Sequence, residues 1–162
     1  MVKITCHNHE GILRDFDSSE LTFRPSVYGI LIKDNKVLLS KQWDGYDFPG
    51  GGVNIDETLE QTLKREFFEE TGLQVEPGKI VHAQTSFFFT RSGKRPYNAV
   101  VIYFLCQQVG GKLSIDNLDI YEKGYVGMPE WLDIEDLDKF KYYNPVDSPA
   151  LIREALKIKN QQ

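Results

Sequence analysis

Residues Pro49 to Leu73, PGGGVNIDETLEQTLKREFFEETGL, read as a glycine loop running into a single helix. Gly50, Gly51 and Gly52 let the backbone take positive φ and approach a ligand closely. Thr58, with Gln61 three residues on, is a capping box that starts the helix, and Gly72 supplies its stop. Leu59, Leu63 and Phe67, spaced i, i+4, i+8, form one apolar stripe that needs a surface to pack on. Around the helix axis Glu70 lies at roughly +40° and Glu69 at roughly −60° from Glu66, while the stripe spans roughly +20° to +100°. The acidic wedge therefore overlaps the face to be buried. Carboxylates converging at the edge of a core repel one another and lose hydration, so they protonate or gain a cation. Oxygen donors with no His or Cys among them suit a hard ion, Mg²⁺ or Mn²⁺ rather than Zn²⁺, and the glycine loop can add a backbone carbonyl.

A run of this composition is more often simply a solvated helix face. Here the segment follows a longer pattern, that of a known family: glycine, five residues, glutamate, seven residues, arginine-glutamate, an apolar residue, any residue, two glutamates, any residue, glycine and an aliphatic residue. Gly51, Glu57, Arg65, Glu66, Phe67, Glu69, Glu70, Gly72 and Leu73 occupy these positions. The segment resembles the Nudix box, and so many fixed positions make it far more specific than a lone glycine motif. The resemblance implies an α/β fold, the Nudix-type α/β/α sandwich with a mixed sheet. It also implies that Glu66, Glu69 and Glu70 are metal-ligand carboxylates, with the Gly50 carbonyl as a backbone ligand. Arg65 and Glu57 then form a supporting salt bridge that orients helix and loop. Asn54 and Asp56 stand where many members carry Glu and Gly.

At 162 residues the chain is long enough for one domain with a substantial core, residues 1–25 being an N-terminal extension or added strand. A net charge of −5 argues against a nucleic acid polymer as partner, since phosphate-backbone affinity needs a clustered basic surface. Cys6 and Cys106 are too few for a disulfide framework, and no apolar signal segment or membrane-length run is visible, so a reducing cytoplasm is expected. Cys6, His7 and His9 lack a recognisable fourth ligand and do not make a second metal site.

Val2, Ile4 and Cys6 alternate as in a short strand. Residues 26–33 and 36–41 are predicted to pair as antiparallel strands through Asp34-Asn35, a pair that tolerates positive φ. Trp43, Tyr46 and Phe48 lead into the glycine loop; Phe48 reads as packing, while Trp43 and Tyr46 read equally as packing or as a stacking surface for a nucleobase. Residues 80–90 and 97–109 read as a strand pair with a basic tip. Arg91, Lys94 and Arg95 there are either phosphate contacts or solvated turn charge. In the acidic connection that follows, the resemblance points to one more carboxylate, a metal ligand or the base that activates water; Glu122 is the first candidate and Glu130 the second. A strand before Trp131, a short helix near Ile134 and a covering helix capped at Ser148 with Pro149 at its first position complete the chain.

The resemblance implies metal-dependent hydrolysis of a nucleoside diphosphate linked to another moiety, water attacking a pyrophosphate phosphorus. Phe87, Phe88, Phe89 and Thr90 stand where some subfamilies carry a proline for ADP-ribose or a tyrosine for diadenosine polyphosphates. Lacking both, the chain is expected to take a nucleoside triphosphate. The alternatives are an ADP-ribose or nucleotide-sugar pyrophosphatase and a non-catalytic nucleotide-binding module, the latter disfavoured by the intact carboxylates. A diphosphate isomerase is disfavoured because the box holds no cysteine. A homodimer is compatible with the resemblance.

Overall fold

The two apolar runs either side of Asp34-Asn35 form the centre of the computed structural model, which describes residues 1–162. They are β3 (Thr22–Lys33) and β4 (Lys36–Gln42), paired antiparallel. Asp34 and Asn35 both take positive φ, 50° and 58°, as a two-residue hairpin requires. On the other side of β3 lies β8 (Pro96–Gly111), parallel to it, and then β7 (Leu73–Phe89), antiparallel to β8. Parallel and antiparallel pairs in one sheet make it mixed.

Residues alternate across the sheet as strand periodicity demands. Val27 and Leu31 of β3 join Leu63 and Phe67 of helix α1 (Leu59–Thr71) in one buried cluster. Ile30 and Ile32 join Leu151, Ile152 and Ala155 of helix α2 (Ser148–Asn160) in another. The sheet is thus covered by one helix on each face, the α/β/α sandwich implied by the resemblance. Thr58 and Gln61 close the capping box of α1, and Gly72 ends it in the left-handed region at φ 74°.

Several boundaries differ from expectation. β7 starts directly after Gly72 and runs through three register shifts against β8; Glu76, Pro77 and Gly78 break the apolar alternation that marks a strand. Helix α2 is capped by Asp147, whose carboxylate accepts from the Ala150 N–H at 3.0 Å; Ser148 lies inside the helix, buried. An aspartate at this end outcompetes a hydroxyl because its charge also meets the helix dipole. The N-terminal residues form not one strand but a hairpin, β1 (Lys3–His7) and β2 (Leu13–Asp17), with β1 laid parallel against β7 at His7 and Phe88. After β9 (Val126–Asp133) comes a 3-10 helix, Ile134–Lys139.

Two short strands, β5 (Gly45–Asp47) and β6 (Gly50–Gly52), carry the glycine loop, and β6 pairs antiparallel with Ser26, Val27 and Tyr28 of β3. After β6 the chain runs through residues 53–58 into α1. Phe67 seats the helix on Gly29, where an added Cβ would meet the ring at 2.7 Å and the Cys106 sulfur at 3.1 Å. Gly29→Ala is therefore expected to lower stability by about 1–3 kcal/mol through overpacking. Urea denaturation checks this; an unchanged midpoint would refute the tight seating.

Candidate active site

Glu66 and Glu70 leave α1 one turn apart, and a 3-10 turn at Glu122–Gly124 brings Glu122 to them. One carboxylate oxygen from each of the three lies within 4.8 Å of the others. Glu70 is 4% exposed and fixed at both oxygens: the Ser40 hydroxyl donates to Oε2 at 2.7 Å, and the Gly50 N–H reaches Oε1 at 3.5 Å. Gly51 leaves room for Glu66, since a Cβ there would meet its carboxyl carbon at 2.8 Å. Burial pushes the carboxyl groups of Glu66 and Glu122 above the usual range, and that of Glu70 well above it. Desolvation is the main cause in each, with repulsion between the carboxylates adding to it.

Arg65 holds the outer side of this cluster. Its Nε and Nη2 donate to the two oxygens of Glu57 at 2.7 and 2.8 Å, the bidentate fork expected of arginine and carboxylate. Its Nη1 is shared between Glu66 Oε1 at 2.8 Å and Glu69 Oε2 at 3.3 Å. Glu69 is thus drawn to Arg65 and lies outside the converging set. Glu57 also accepts from Thr62 Oγ1, and the arginine holds its carboxyl down at about 2.

The three carboxylates and Gly50 line a cleft of about 310 Å³. A second cleft of about 330 Å³ adjoins it, the two sharing Arg24, Tyr28, Asp47 and Tyr125. Arg24 forms no ion pair; its guanidinium packs over Phe88 and Tyr97 at 5.8 and 5.5 Å, facing Gly52 of the loop. Asp47 accepts from the Phe48 N–H at 2.7 Å and from the Asn144 side chain, while burial raises its carboxyl to about 6.

Trp43 and Arg91 line the second cleft, with the Arg91 guanidinium 5.9 Å from the Trp43 ring centre. Trp43 stacks on Tyr125 and on His9, each at 4.7 Å. Tyr46 is corrected to packing: it is 5% exposed, sits in the α2-side core against Phe140, and donates its hydroxyl to Glu130 at 2.7 Å. That bond also engages Glu130, which lines neither cleft. Lys94 and Arg95 are exposed at the β7–β8 tip and line neither cleft. Sequence reasoning missed Arg24, Asp47 and Asn144 and weighed His9 only as a metal ligand. Each is a single polar residue without a motif, brought to the clefts by contacts between distant parts of the chain.

Comparison with known proteins points one way. A family model described as NUDIX domain matches residues 22–153. An 8-oxo-dGTP diphosphatase of Buchnera aphidicola is 34% identical over 74% of this chain and 84% of its own. An ADP-ribose pyrophosphatase of Methanocaldococcus jannaschii is 30% identical over 91% of this chain and 82% of its own. Among solved structures, an ADP-ribose pyrophosphatase from Streptococcus suis superposes with a TM-score of 0.64 at 18% identity, covering 85% of this chain and 92% of that one, a likeness of fold.

Removing the guanidinium as Arg65→Gln is expected to return the Glu57 carboxyl from about 2 toward 4.5, read by NMR titration of the side-chain carboxyl carbon. In the unsubstituted chain the pairing stabilises the fold above about pH 4.5 and is lost as pH falls toward 2, because the folded-state value is the lower one. A Glu57 titration unmoved by the substitution would contradict the pairing.

Proposed function

The chain belongs to the Nudix family of pyrophosphohydrolases, enzymes acting on acid anhydrides, and on that footing we propose that its substrate is a nucleoside diphosphate linked to a further group, with a nucleoside triphosphate preferred. The observation that carries this is the continuity of the two clefts: one gathers carboxylates, the other aromatic rings, and Arg24 stands where they meet. A nucleotide has the same division into a phosphate chain and a planar base.

Nudix hydrolases generally use divalent metal, and this donor set fits one. Three oxygen-donor side chains converge, and burial first, with their mutual repulsion second, disfavours their charged forms, a cost that a cation offsets. Glu66, Glu70 and Glu122 would hold Mg²⁺ or Mn²⁺ together with the Gly50 backbone, and Glu69 would join them only on turning away from Arg65. When bound, the ion supplies charge neutralisation on the phosphate oxygens and a lowered pKa for water.

The chain's own residues do the rest. Arg24, free of any carboxylate partner, binds phosphate oxygens and aligns the anhydride across the two clefts. Glu57 and Arg65 keep the outer face of α1 fixed, so that Glu66 stays directed at the cleft. Water attacks a phosphorus of the scissile anhydride, an O–P bond forms, and the bond from that phosphorus to the bridging oxygen breaks. A nucleoside triphosphate then yields nucleoside monophosphate and pyrophosphate. Glu122 takes the water proton: it lines the carboxylate cleft and arrives from a connection separate from the helix.

The Methanocaldococcus relative, matched across nearly the whole chain, supports ADP-ribose as the second reading. The deciding experiment is product analysis with Mg²⁺ or Mn²⁺ against nucleoside triphosphates, ADP-ribose, nucleotide sugars and dinucleoside polyphosphates. Metal-dependent release of nucleoside monophosphate from a triphosphate is expected, reduced about 10²- to 10⁴-fold in Glu122→Gln. Glu69→Gln is expected to lower turnover as well, and Arg24→Ala to raise KM. Nucleotide binding with no hydrolysis of any panel member would leave a binding module instead.

A further inference from the structure

Residues 1–21 lie outside the matched family domain, yet their hairpin forms part of the second cleft. The turn between β1 and β2 is rigidly built. Asn8 is 8% exposed, and its Oδ1 accepts from the N–H groups of both Glu10 and Ile12 at 2.9 Å. The Asn8 N–H closes the turn on the Ile12 carbonyl, and the Gly11 N–H bonds back to the Asn8 carbonyl. This geometry presents the His9 ring to Trp43, stacked at 4.7 Å and 24°, where Tyr143 also meets the indole edge-on at 4.9 Å.

The same hairpin grips the opposite wall. Arg14 donates to the Gly93 carbonyl at 3.2 Å and lies over the Phe89 ring at 5.1 Å, so β2 anchors the β7–β8 tip that carries Arg91. Phe16 and Cys6 complete the attachment in a small core with Phe89. One added element therefore sets both the aromatic stack and the loop facing it.

We propose that the N-terminal hairpin is a specificity element for the planar base of the nucleotide: His9 extends the Trp43 stack against which the base packs, and Arg14 is a positioning residue acting through Gly93 on Arg91. This rests on the reading of the two clefts as a nucleotide site. A flat ring packing on this aromatic stack gains contact that a ligand with only sugar and phosphate does not. Stacking on aromatic rings tolerates different bases, so the hairpin discriminates the presence of a base more than its identity.

The test is equilibrium binding of nucleoside monophosphates and of ribose 5-phosphate to the full chain, without metal, in the unsubstituted protein and in His9→Ala, His9→Phe and Arg14→Gln. His9→Ala is expected to weaken nucleoside monophosphate binding about tenfold, with His9→Phe restoring most of the loss. Ribose 5-phosphate affinity is expected to be equal in all of them. Arg14→Gln is expected to speed hydrogen exchange at residues 90–95 as it weakens nucleotide binding. Equal losses for both ligands, no change in His9→Ala, or an unsubstituted protein that does not prefer nucleotides to ribose 5-phosphate would each overturn the proposal. Turnover assays separate it from the reaction assigned above: His9-dependent nucleotide binding without turnover removes the reaction and keeps the hairpin's role, whereas turnover with binding indifferent to His9 does the reverse.

Discussion

The seating of α1 on the sheet is the constraint from which the rest of the site follows. Phe67 fills the space over Gly29, and the next turn of the same helix carries Glu70 to where Ser40 and Gly50 meet it. Apolar contact and carboxylate burial are one event, because the acidic wedge and the apolar stripe overlap on one cylinder. Burying an ionised group costs far more than burying a methylene recovers. The fold therefore hydrogen-bonds the most buried carboxylate at both oxygens and leaves the others at the cleft surface, where charge can be met from outside.

Arg65 divides that charge in two. On its outer side it neutralises Glu57 through a fork; toward the cleft a single amino nitrogen, Nη1, reaches both Glu66 and Glu69. One guanidinium cannot neutralise three carboxylates, so an excess of negative charge remains inside. The asymmetry gives the helix a structural outer edge and a charged inner edge within one turn.

Much of this was legible in the sequence because it is local. The capping box at Thr58, the stop at Gly72, the turn at Asp34-Asn35 and the order of carboxylates along α1 all depend on residues within a few positions of one another. Glu122 was readable as a candidate only by resemblance, and its meeting with Glu66 depends on a fold that spacing does not encode. Tyr46 and Trp43, three residues apart, were indistinguishable on paper. Strand alternation in β5 turned Tyr46 into the core, while a positive φ of 45° swung Trp43 outward at the hairpin end. Arg24 and Asp47 came to line the same cleft through the pairing of β3 with β4 and of β4 with β5, long-range contacts that leave no periodic trace.

Two of the converging carboxylates ride on a packed helix, but the third rides on a connection with little regular structure. That connection, between β8 and β9, is tied to the end of α1 by the Ser114 N–H on the Thr71 carbonyl and pinned by Leu118, which is 4% exposed, while Ile120 and Tyr121 stay in solvent. Tyr125 adds a third hold, stacked on Trp43 and accepting the Trp43 backbone N–H at its carbonyl, and an irregular connection of this kind opens at lower free energy than the core does. The meeting of Glu122 with Glu66 and Glu70 therefore depends on how that connection is seated, and any cation affinity of the cluster would scale with the seated fraction. Anything that loosens or braces Leu118 retunes the centre without touching a single donor atom.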